Sequence, residues 1–292
     1  MNEELLGLIE SASAATPTWL AQKRQLALRL LAEMPAGDPA LLADWQTDPD
    51  LTVDPVANVR TSGAVVRQPL LKPAPQYNGL LQENLMEKAL GWQTSQENAA
   101  HLALLNGGNF IYVPDGEQVT APIILSGHRH HPNNHDLILV GANVTVTIID
   151  DQTMATTKPA VHATELLLGE GAQVNFCQIN DFSARVSRQV VAAYQAQDSE
   201  LRVTTASGRY PAQRLVFNDW LDGAGAKGQF SASYLLDEEQ HVELCPSFKT
   251  EGNGATVQFE QSGFERAADL IAHLAVQAPR EMVAMVSQHF QQ

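Results

Sequence analysis

The sequence predicts a mainly β chain with flanking helices, whose core is a right-handed β-helix (a β-solenoid). Three observations predict it: alternating apolar runs fill the middle of the chain, a glycine-rich mark recurs among them, and helical periodicity lies on both sides. We expect a mostly helical N-terminal region at 1–105, with an extended linker near 48–78. A β-helix core at 106–260 and a C-terminal helical module at 261–292 would follow.

The N-terminal region is predicted helical from its periodicity. EELLGLIESASAA and WLAQKRQLALRLLAEM place apolar residues at helical spacing. Thr16 followed by Pro17 is typical of an N-cap and a first helical residue. DPALLADW, LLQENLMEKALGW and SQENAAHLALLN continue the pattern, the last with Ser95 as its cap. Five prolines within residues 48–78 predict an extended connector there.

One short motif, a glycine and an alanine followed two residues later by a valine, recurs in the predicted core at a spacing of roughly 25 to 30 residues. It reads GANV at 141–144, GAQV at 171–174 and GATV at 254–257, with weaker forms at 115–119, 198–201 and 223–228. Such a period indicates a solenoid, whose repeats each bury an apolar face against the next. Small residues suit its tight corners. An ordinary β-sandwich with glycine turns is the alternative that the pattern leaves open.

Helical signals return after the core. SGFERAADLIAHLAV opens with Ser262 and Glu265 at the spacing of a capping box. APREMVAMVSQHF then begins near a proline, Pro279, and places apolar side chains such as Val283 and Val286 on one helical face. We therefore expect the C-terminal module to be helical.

Composition excludes several classes of function. A net charge of −15 suits the chain poorly to neutralising nucleic-acid phosphates. No apolar run approaches the roughly 18 residues that span a bilayer, and the acidic start NEELLGLIE is unlike a signal peptide. Cys177 and Cys245 form no CxxC pair, so we expect reduced thiols and a cytoplasmic protein.

Several phrases occur in a distinctive order along most of the chain. They are TPTWLAQKRQLAL near the start, ALLNGGNFIYVPDGEQVTAPIIL at 103–125, TELLLGEGAQVNFCQIN at 164–180, and QDSELRV followed by LDGAGAKGQFSASYLLDEEQHVE within 197–243. This order resembles the SufB/SufD family of iron–sulfur cluster assembly proteins, most closely its SufD members. The resemblance implies a non-catalytic β-helix subunit that docks a SufC-type ATPase and pairs with a SufB-type scaffold, or with itself as a homodimer. The sequence has no GxxxxGK[ST], so ATP chemistry would belong to a partner.

The sequence departs from the family towards its C-terminus. The stretch between Glu243 and the expected helices is short, so the resemblance implies a shortened member. The family's late Cys-x-His-Gly-Ala-Thr-Val motif carries a histidine implicated in cluster assembly. If GNGATV is its counterpart, Asn253 occupies the histidine position; the other alignment assigns GNGATVQF to an earlier coil. In both alignments that histidine has no clear equivalent, and we expect at most transient iron or an iron–sulfur cluster.

The motif GHRHHPNNH at 127–135 holds four of the chain's nine histidines. His128 and His130 would share one face of a strand, whereas His131-Pro132 followed by two asparagines is typical of a turn. The sequence favours an exposed polar turn between two coils. A metal or proton-transfer site and a partner contact are the alternatives.

The segment QHVELC supplies the candidate ligands. His241, Glu243 and Cys245 alternate, so they would lie on one face of a strand. An imidazole, a carboxylate and a thiol together could bind iron or zinc; a purely structural role is the alternative.

Other chemically interesting residues are interpreted as structural. Cys177 lies in the alternating segment VNFCQ and is expected to be a buried, structural cysteine. The pairs Asp150-Asp151 and Glu238-Glu239 are expected to be solvated strand ends, because adjacent carboxylates on a strand point to opposite faces.

The leading hypothesis is thus an assembly subunit that positions partners and turns over no substrate. Its apolar C-terminal face would contact the ATPase, with these candidates: Phe264, Leu270, Leu274, Val283 and Val286. The alternatives are an interaction protein that kept the fold without cluster chemistry, and a β-helix enzyme acting on polysaccharide. The second would need converging carboxylates and stacking aromatics, and aromatic residues make up only 6% of the chain.

Overall fold

The helices lie in the N-terminal part of the chain, as the periodicity predicts. The computed structural model describes residues 3–37, 39–54, 58–179, 181–184, 186–208, 212–236, 240–265, 269–278 and 284–290. Its α-helices are α1 Glu3–Ala12, α2 Thr18–Leu30, α3 Pro39–Thr47, α4 Asn78–Asn84 and α5 Gln96–Ala103. Short 3₁₀ turns occupy Leu31–Glu33, Pro75–Tyr77 and Trp92–Thr94.

The helix ends confirm one predicted cap and correct another. Ser95 Oγ accepts a hydrogen bond of 3.2 Å from the Asn98 N–H, as expected for the cap of α5. The cap predicted at Thr16 is wrong, because its hydroxyl donates to the Ser13 carbonyl at 2.8 Å and Pro17 precedes the first residue of α2. Helix α4 is shorter than its apolar pattern predicts and ends before Met86, whose φ is 53°.

Strands make up most of the remaining described chain. They are β1 Asn58–Arg60, β2 Val66–Pro69, β3 Asn109–Val113, β4 Ile123–Arg129, β5 Asn133–Val140, β6 Thr145–Ala155, β7 Ala160–Leu168, β8 Gln173–Gln178, β9 Asp181–Ser183, β10 Ser187–Gln195, β11 Glu200–Gly208, β12 Ala212–Leu221, β13 Lys227–Leu236, β14 His241–Thr250, β15 Thr256–Glu265, β16 Asp269–Ala272, β17 Ala275–Gln277 and β18 Ala284–Phe290.

The strands form two stacked sheets. One, the helix-facing sheet, has the order β16-β14-β12-β10-β7-β5-β3-β2, with β17 beside β14. The other, the far sheet, has the order β1-β4-β6-β8-β11-β13-β15-β18, with β9 beside β6. From β3 onward paired strands are parallel, and successive strands alternate between the sheets except that β9 follows β8 in the far sheet and β17 follows β16 in the helix-facing sheet. The first two strands are antiparallel to their partners, β1 to β4 and β2 to β3. This is a β-solenoid and excludes the sandwich alternative; its right-handed sense stays a prediction.

A left-handed residue recurs at one corner of the coils. Positive φ values occur 27 to 29 residues apart, at Gly116, Asn143, Gly171, Asp198, Gly225 and Gly254. Each of the first five donates its N–H to the carbonyl just before the next left-handed residue, at 2.8 or 2.9 Å. Glycine adopts this conformation without strain, and Asn and Asp tolerate it best among the others. The recurring sequence marks are therefore stacked corners.

The predicted C-terminal helical module is wrong, because the solenoid continues with strands β15 to β18 in the described residues. Ser262 and Glu265, read as a capping box, lie on β15 opposite Ser233 and Leu236 of β13. Pairing with the preceding coil overrides the local helical signal, since it supplies partners for the backbone and for the inward side chains. Phe259, on the inward face, stacks on Phe230 with ring centroids 5.9 Å apart.

Two apolar cores hold the molecule together. Inside the solenoid, inward residues such as Ile138, Ile148 and Phe217 pack between the two sheets. On the other side of the helix-facing sheet, Leu139 and Val190 pack beneath the helices. That sheet is therefore buried on both faces over part of its length. Among the described residues, no helix combines the length and apolar character needed to cross a membrane.

Candidate functional site

A charged row crosses the outward face of the helix-facing sheet. Arg188 on β10 is in register with Arg214 on β12, which is in register with Glu243 on β14. Parallel strands place such residues about 4.8 Å apart at the backbone. Two adjacent arginines would repel one another, so the row needs negative charge at both ends.

Glu97 of α5 supplies that charge at the helical end. Its carboxylate forms an ion pair with the buried Arg188 guanidinium. At the other end, Arg214 Nε lies 3.3 Å from Glu243 Oε2. The row is thus charge-balanced, and it ties the helical layer to the sheet.

A cavity of about 530 Å³ opens between the helical layer and this row. Its chemically functional lining consists of Glu97, Arg188, Arg214, Glu243, Cys245 and His273. Cys245 Sγ lies 3.4 Å from Glu243 Oε1, and His273 Nε2 lies 3.8 Å from the same oxygen. Burial raises the pKa of the Cys245 thiol; Arg214 opposes this shift and Glu243 adds to it. The protonated thiol therefore prevails at neutral pH.

The structure places the predicted ligands on β14 as expected. His241, Glu243 and Cys245 are all half-buried and alternate with buried residues, so they share the outward face. Glu243 and Cys245 line the cavity, and His273 joins them there, whereas His241 does not belong to the lining. His273 and the two arginines were missed from the sequence. The signal was present, because Arg188, Arg214 and Glu243 are 26 (188 to 214) and 29 (214 to 243) residues apart, close to the coil length.

The histidine motif divides between the surface and the interior. His128 and His130 are exposed at the end of β4 and just after it, as the predicted polar turn requires. His131 Nδ1 lies 2.8 Å from Asp50 Oδ2. The turn prediction is wrong for Asn133, Asn134 and His135, which are buried on β5. His135 Nε2 lies 3.0 Å from Glu165 Oε2.

Two structural interpretations need correction. Cys177 is half-buried on the outward face of β8, while its neighbours Phe176 and Gln178 are buried. Asp150 is not a solvated strand end, because it points into the solenoid and is buried; Asp151 is exposed. Glu238-Glu239 lies outside the described residues.

The remaining candidates lie near the C-terminal end of the solenoid. Asn253 is exposed in the corner before β15, and its carbonyl accepts from the Gly225 N–H. Of the docking candidates, Phe264 lies on β15, Leu270 packs partly buried against the interior core, and Leu274 is exposed. Val286 lies on β18, and Val283 is outside the described residues.

Residues 123–263 match the family described as SUF system FeS cluster assembly, SufBD core domain. This match runs from β4 into β15 of the β-solenoid, so this part of the chain is similar to the SufBD core domain. More particularly, the chain is 26% identical over 152 residues to the iron-sulfur cluster assembly protein SufD of Bacillus subtilis (strain 168). The aligned part covers 49% of this chain and 35% of that protein, so the chain spans about a third of the relative's length. The predicted resemblance is confirmed.

Proposed function

We propose that this chain is a SufD-like accessory subunit of an iron–sulfur cluster assembly complex, which docks a SufC-type ATPase and pairs with a SufB-type scaffold. The observation that carries the proposal is the family match over residues 123–263, which lie within the parallel part of the solenoid. The subunit works by positioning partners, and ATP hydrolysis belongs to the ATPase. A cytoplasmic setting suits its two cysteines, neither of which is in a disulfide.

The C-terminal end of the solenoid is the surface that we assign to partners. Strands β16 and β18 end the two described sheet orders. Exposed apolar side chains lie close to that end, namely Leu235, Ile271, Leu274 and Val276. Proteins commonly associate through the edge strands of their sheets and through exposed apolar residues.

Glu243 and Cys245 are our candidates to hold iron or a nascent cluster in transit. Their contact and their place in the cavity support this assignment, and His273 is a further nitrogen ligand within reach of Glu243. Because the Cys245 thiol is protonated at neutral pH, metal uptake there would release a proton.

Co-expression with a SufC-type ATPase and a SufB-type scaffold from the same genome tests the proposal. Affinity capture of this chain should recover both partners in one complex. The double substitution Leu274→Asp and Val276→Asp should abolish recovery of at least one partner. The matched control, Leu8→Asp with Val53→Asp, changes exposed apolar residues in the N-terminal part and should leave recovery unchanged.

Two results would contradict this function. If the folded chain recovers neither partner, the interaction-protein alternative replaces it. If light scattering shows only a dimer of this chain in the presence of both partners, self-association replaces the heterocomplex.

A further inference from the structure

A polar cluster lies inside the solenoid, apart from the outward cavity. Asp136 on β5, Asp150 on β6 and His162 on β7 point inward, since they alternate with outward residues and share a face with core residues such as Ile138 and Ile148. Their exposures are 0%, 1% and 1%. One nitrogen or oxygen atom from each lies within 4.8 Å of the other two. Three buried ligating groups from both sheets thus converge on one point.

Their spacing fits ligands around an ion better than a hydrogen-bonded pair. His162 Nε2 lies 3.5 Å from Asp136 Oδ2 and 3.5 Å from Asp150 Oδ2. The usual N–H···O range ends at about 3.2 Å. By contrast, four ligands held at about 2.1 Å from a tetrahedral ion stand about 3.4 Å apart. The hydroxyl of Thr164, also 3.5 Å from His162 Nε2, is a neutral oxygen at the same separation.

The His162 ring supplies an independent observation. Nε2 is aimed at the two carboxylates, whereas the buried Nδ1 has no hydrogen-bond partner among the described residues. The ring packs against Phe182, with centroids 5.2 Å apart. A buried imidazole with one unpartnered nitrogen and the other facing two carboxylates at long range is poorly satisfied by hydrogen bonds. An ion bound between Nε2 and the two carboxylates would replace these long contacts with direct bonds, and Nδ1 would then carry the ring proton.

The surrounding groups hold the carboxylates in place. Gln152 Nε2 donates to Asp136 Oδ2 and Asp150 Oδ1, each at 2.7 Å. Asn109 donates to Asp136 Oδ1 through its backbone N–H at 2.7 Å and its side-chain amide at 2.6 Å. Such outer partners orient the ligands of metal sites. Arg129 Nη2, 3.8 Å from Asp136 Oδ1, offsets one of the two negative charges.

We propose that Asp136, Asp150 and His162 form a structural site for a divalent transition-metal ion, and that Zn²⁺ fits it best. Two carboxylates and one imidazole are ligands that zinc accepts, and the two 3.5 Å separations from His162 Nε2 match four-coordination. Mg²⁺ fits poorly, because it favours oxygen ligands and retains its waters. The bound ion would link β5 and β7 of the helix-facing sheet to β6 of the far sheet across the interior.

Metal analysis of the untagged, full-length chain tests this site. Wild type should retain about one zinc per chain, and Asp150→Asn and His162→Gln should retain less than about a tenth of that. Asp151→Asn and His128→Gln, an exposed carboxylate and an exposed imidazole, are matched controls and should keep the metal. Cobalt-loaded wild type should show the intense visible absorption of tetrahedral Co²⁺, and His162→Gln should lack it.

Thermal unfolding of wild type keeps the test valid if a variant fails to fold. The melting temperature should fall after chelation and recover on adding zinc, since an ion that binds only the folded chain stabilises it. The proposal would be overturned if wild type contained no metal and its melting temperature did not change on adding zinc. Equal zinc content in wild type and Asp150→Asn would overturn it as well.

Discussion

His135 Nε2 lies 3.0 Å from Glu165 Oε2, and both side chains are fully buried between the helix-facing sheet and the helical layer. The same carboxylate accepts hydrogen bonds from the backbone N–H groups of Met86, at 2.6 Å, and Leu90, at 3.0 Å. His101 on α5 adds a contact of 3.2 Å between its Nε2 and His135 Nδ1. The pair of Glu165 and His135 thus joins two strands, a loop and a helix.

Glu165→Gln should therefore destabilise the fold by about 3 kcal/mol, because the amide loses the charge and its NH₂ group must face at least one of the three donors. Urea unfolding followed by circular dichroism measures the change. Glu170→Gln, at an exposed position two residues beyond β7, is the control and should stay within about 0.5 kcal/mol of wild type. Equal effects of the two substitutions would show that the buried carboxylate does not join these layers.

Asp219 makes stability depend on pH. It points into the solenoid, and its two oxygens lie 3.0 and 2.8 Å from Gln195 Nε2. Burial raises the pKa of Asp219 to about 7, and Gln195 opposes this shift. Between about pH 4 and pH 7 the folded chain keeps a proton that the unfolded chain has lost, so this residue's contribution to stability falls as pH rises across that window.

Asp219→Asn should remove that dependence. The variant should match wild type near pH 4 and exceed it above pH 7, by at most about 4 kcal/mol. Urea midpoints measured at several pH values, with wild type and variant in parallel, give the comparison. A constant difference between the two proteins across this range would contradict a raised pKa at Asp219.

The reactivity of Cys245 should report the charges around it. In a Cys177→Ser background, iodoacetamide modification should be slow at pH 7 and accelerate as pH rises, because burial raises the pKa of this thiol. At pH 8, Arg214→Met should slow the reaction roughly three- to tenfold and Glu243→Gln should accelerate it, since the first removes a charge that favours the thiolate and the second removes one that opposes it. The reverse order of rates would contradict this geometry.

The stacked corners should tolerate little change. Gly225 has φ of 71°, and a methyl group there would lie 2.3 Å from Asp198 Oδ1. Gly225→Ala should cost about 1 to 2 kcal/mol of unfolding free energy. Gly79, in the first turn of α4, is the matched control, because a methyl group added there would meet no atom within 4 Å. Gly79→Ala should therefore be neutral or stabilising. Denaturant unfolding of both variants decides between these outcomes.

The solenoid was predictable because each of its corners coincides with a short motif that recurs in the sequence. Gly171 and Gly254 begin two copies of this motif, and the structure places them at equivalent corners of different coils. The C-terminal strands were not predictable from local pattern. Ser262 and Glu265 satisfy a helical signature, yet their backbone pairs with a coil formed by residues about 29 positions earlier, which no local pattern contains.

The candidate site was predictable only in part. Alternation along β14 put Glu243 and Cys245 on one face. It could not supply Glu97, which reaches the sheet from a helix 91 residues before Arg188. Asp150 was misjudged because an inward strand position ordinarily carries an apolar side chain. Only the three-dimensional structure shows that this buried carboxylate accepts a hydrogen bond from Gln152 inside the solenoid.

The recurring left-handed corner also makes the length of this molecule adjustable. Each of the first five described corners donates the same backbone hydrogen bond to the corner of the next coil, so these coils contact their neighbours through equivalent atoms. Duplicating or deleting one whole coil of 27 to 29 residues would therefore leave the other corners in register, whereas a gain of one residue within a strand would turn its inward side chains outward. Evolution or design can lengthen such a chain by whole coils while conserving the chemistry of those already present.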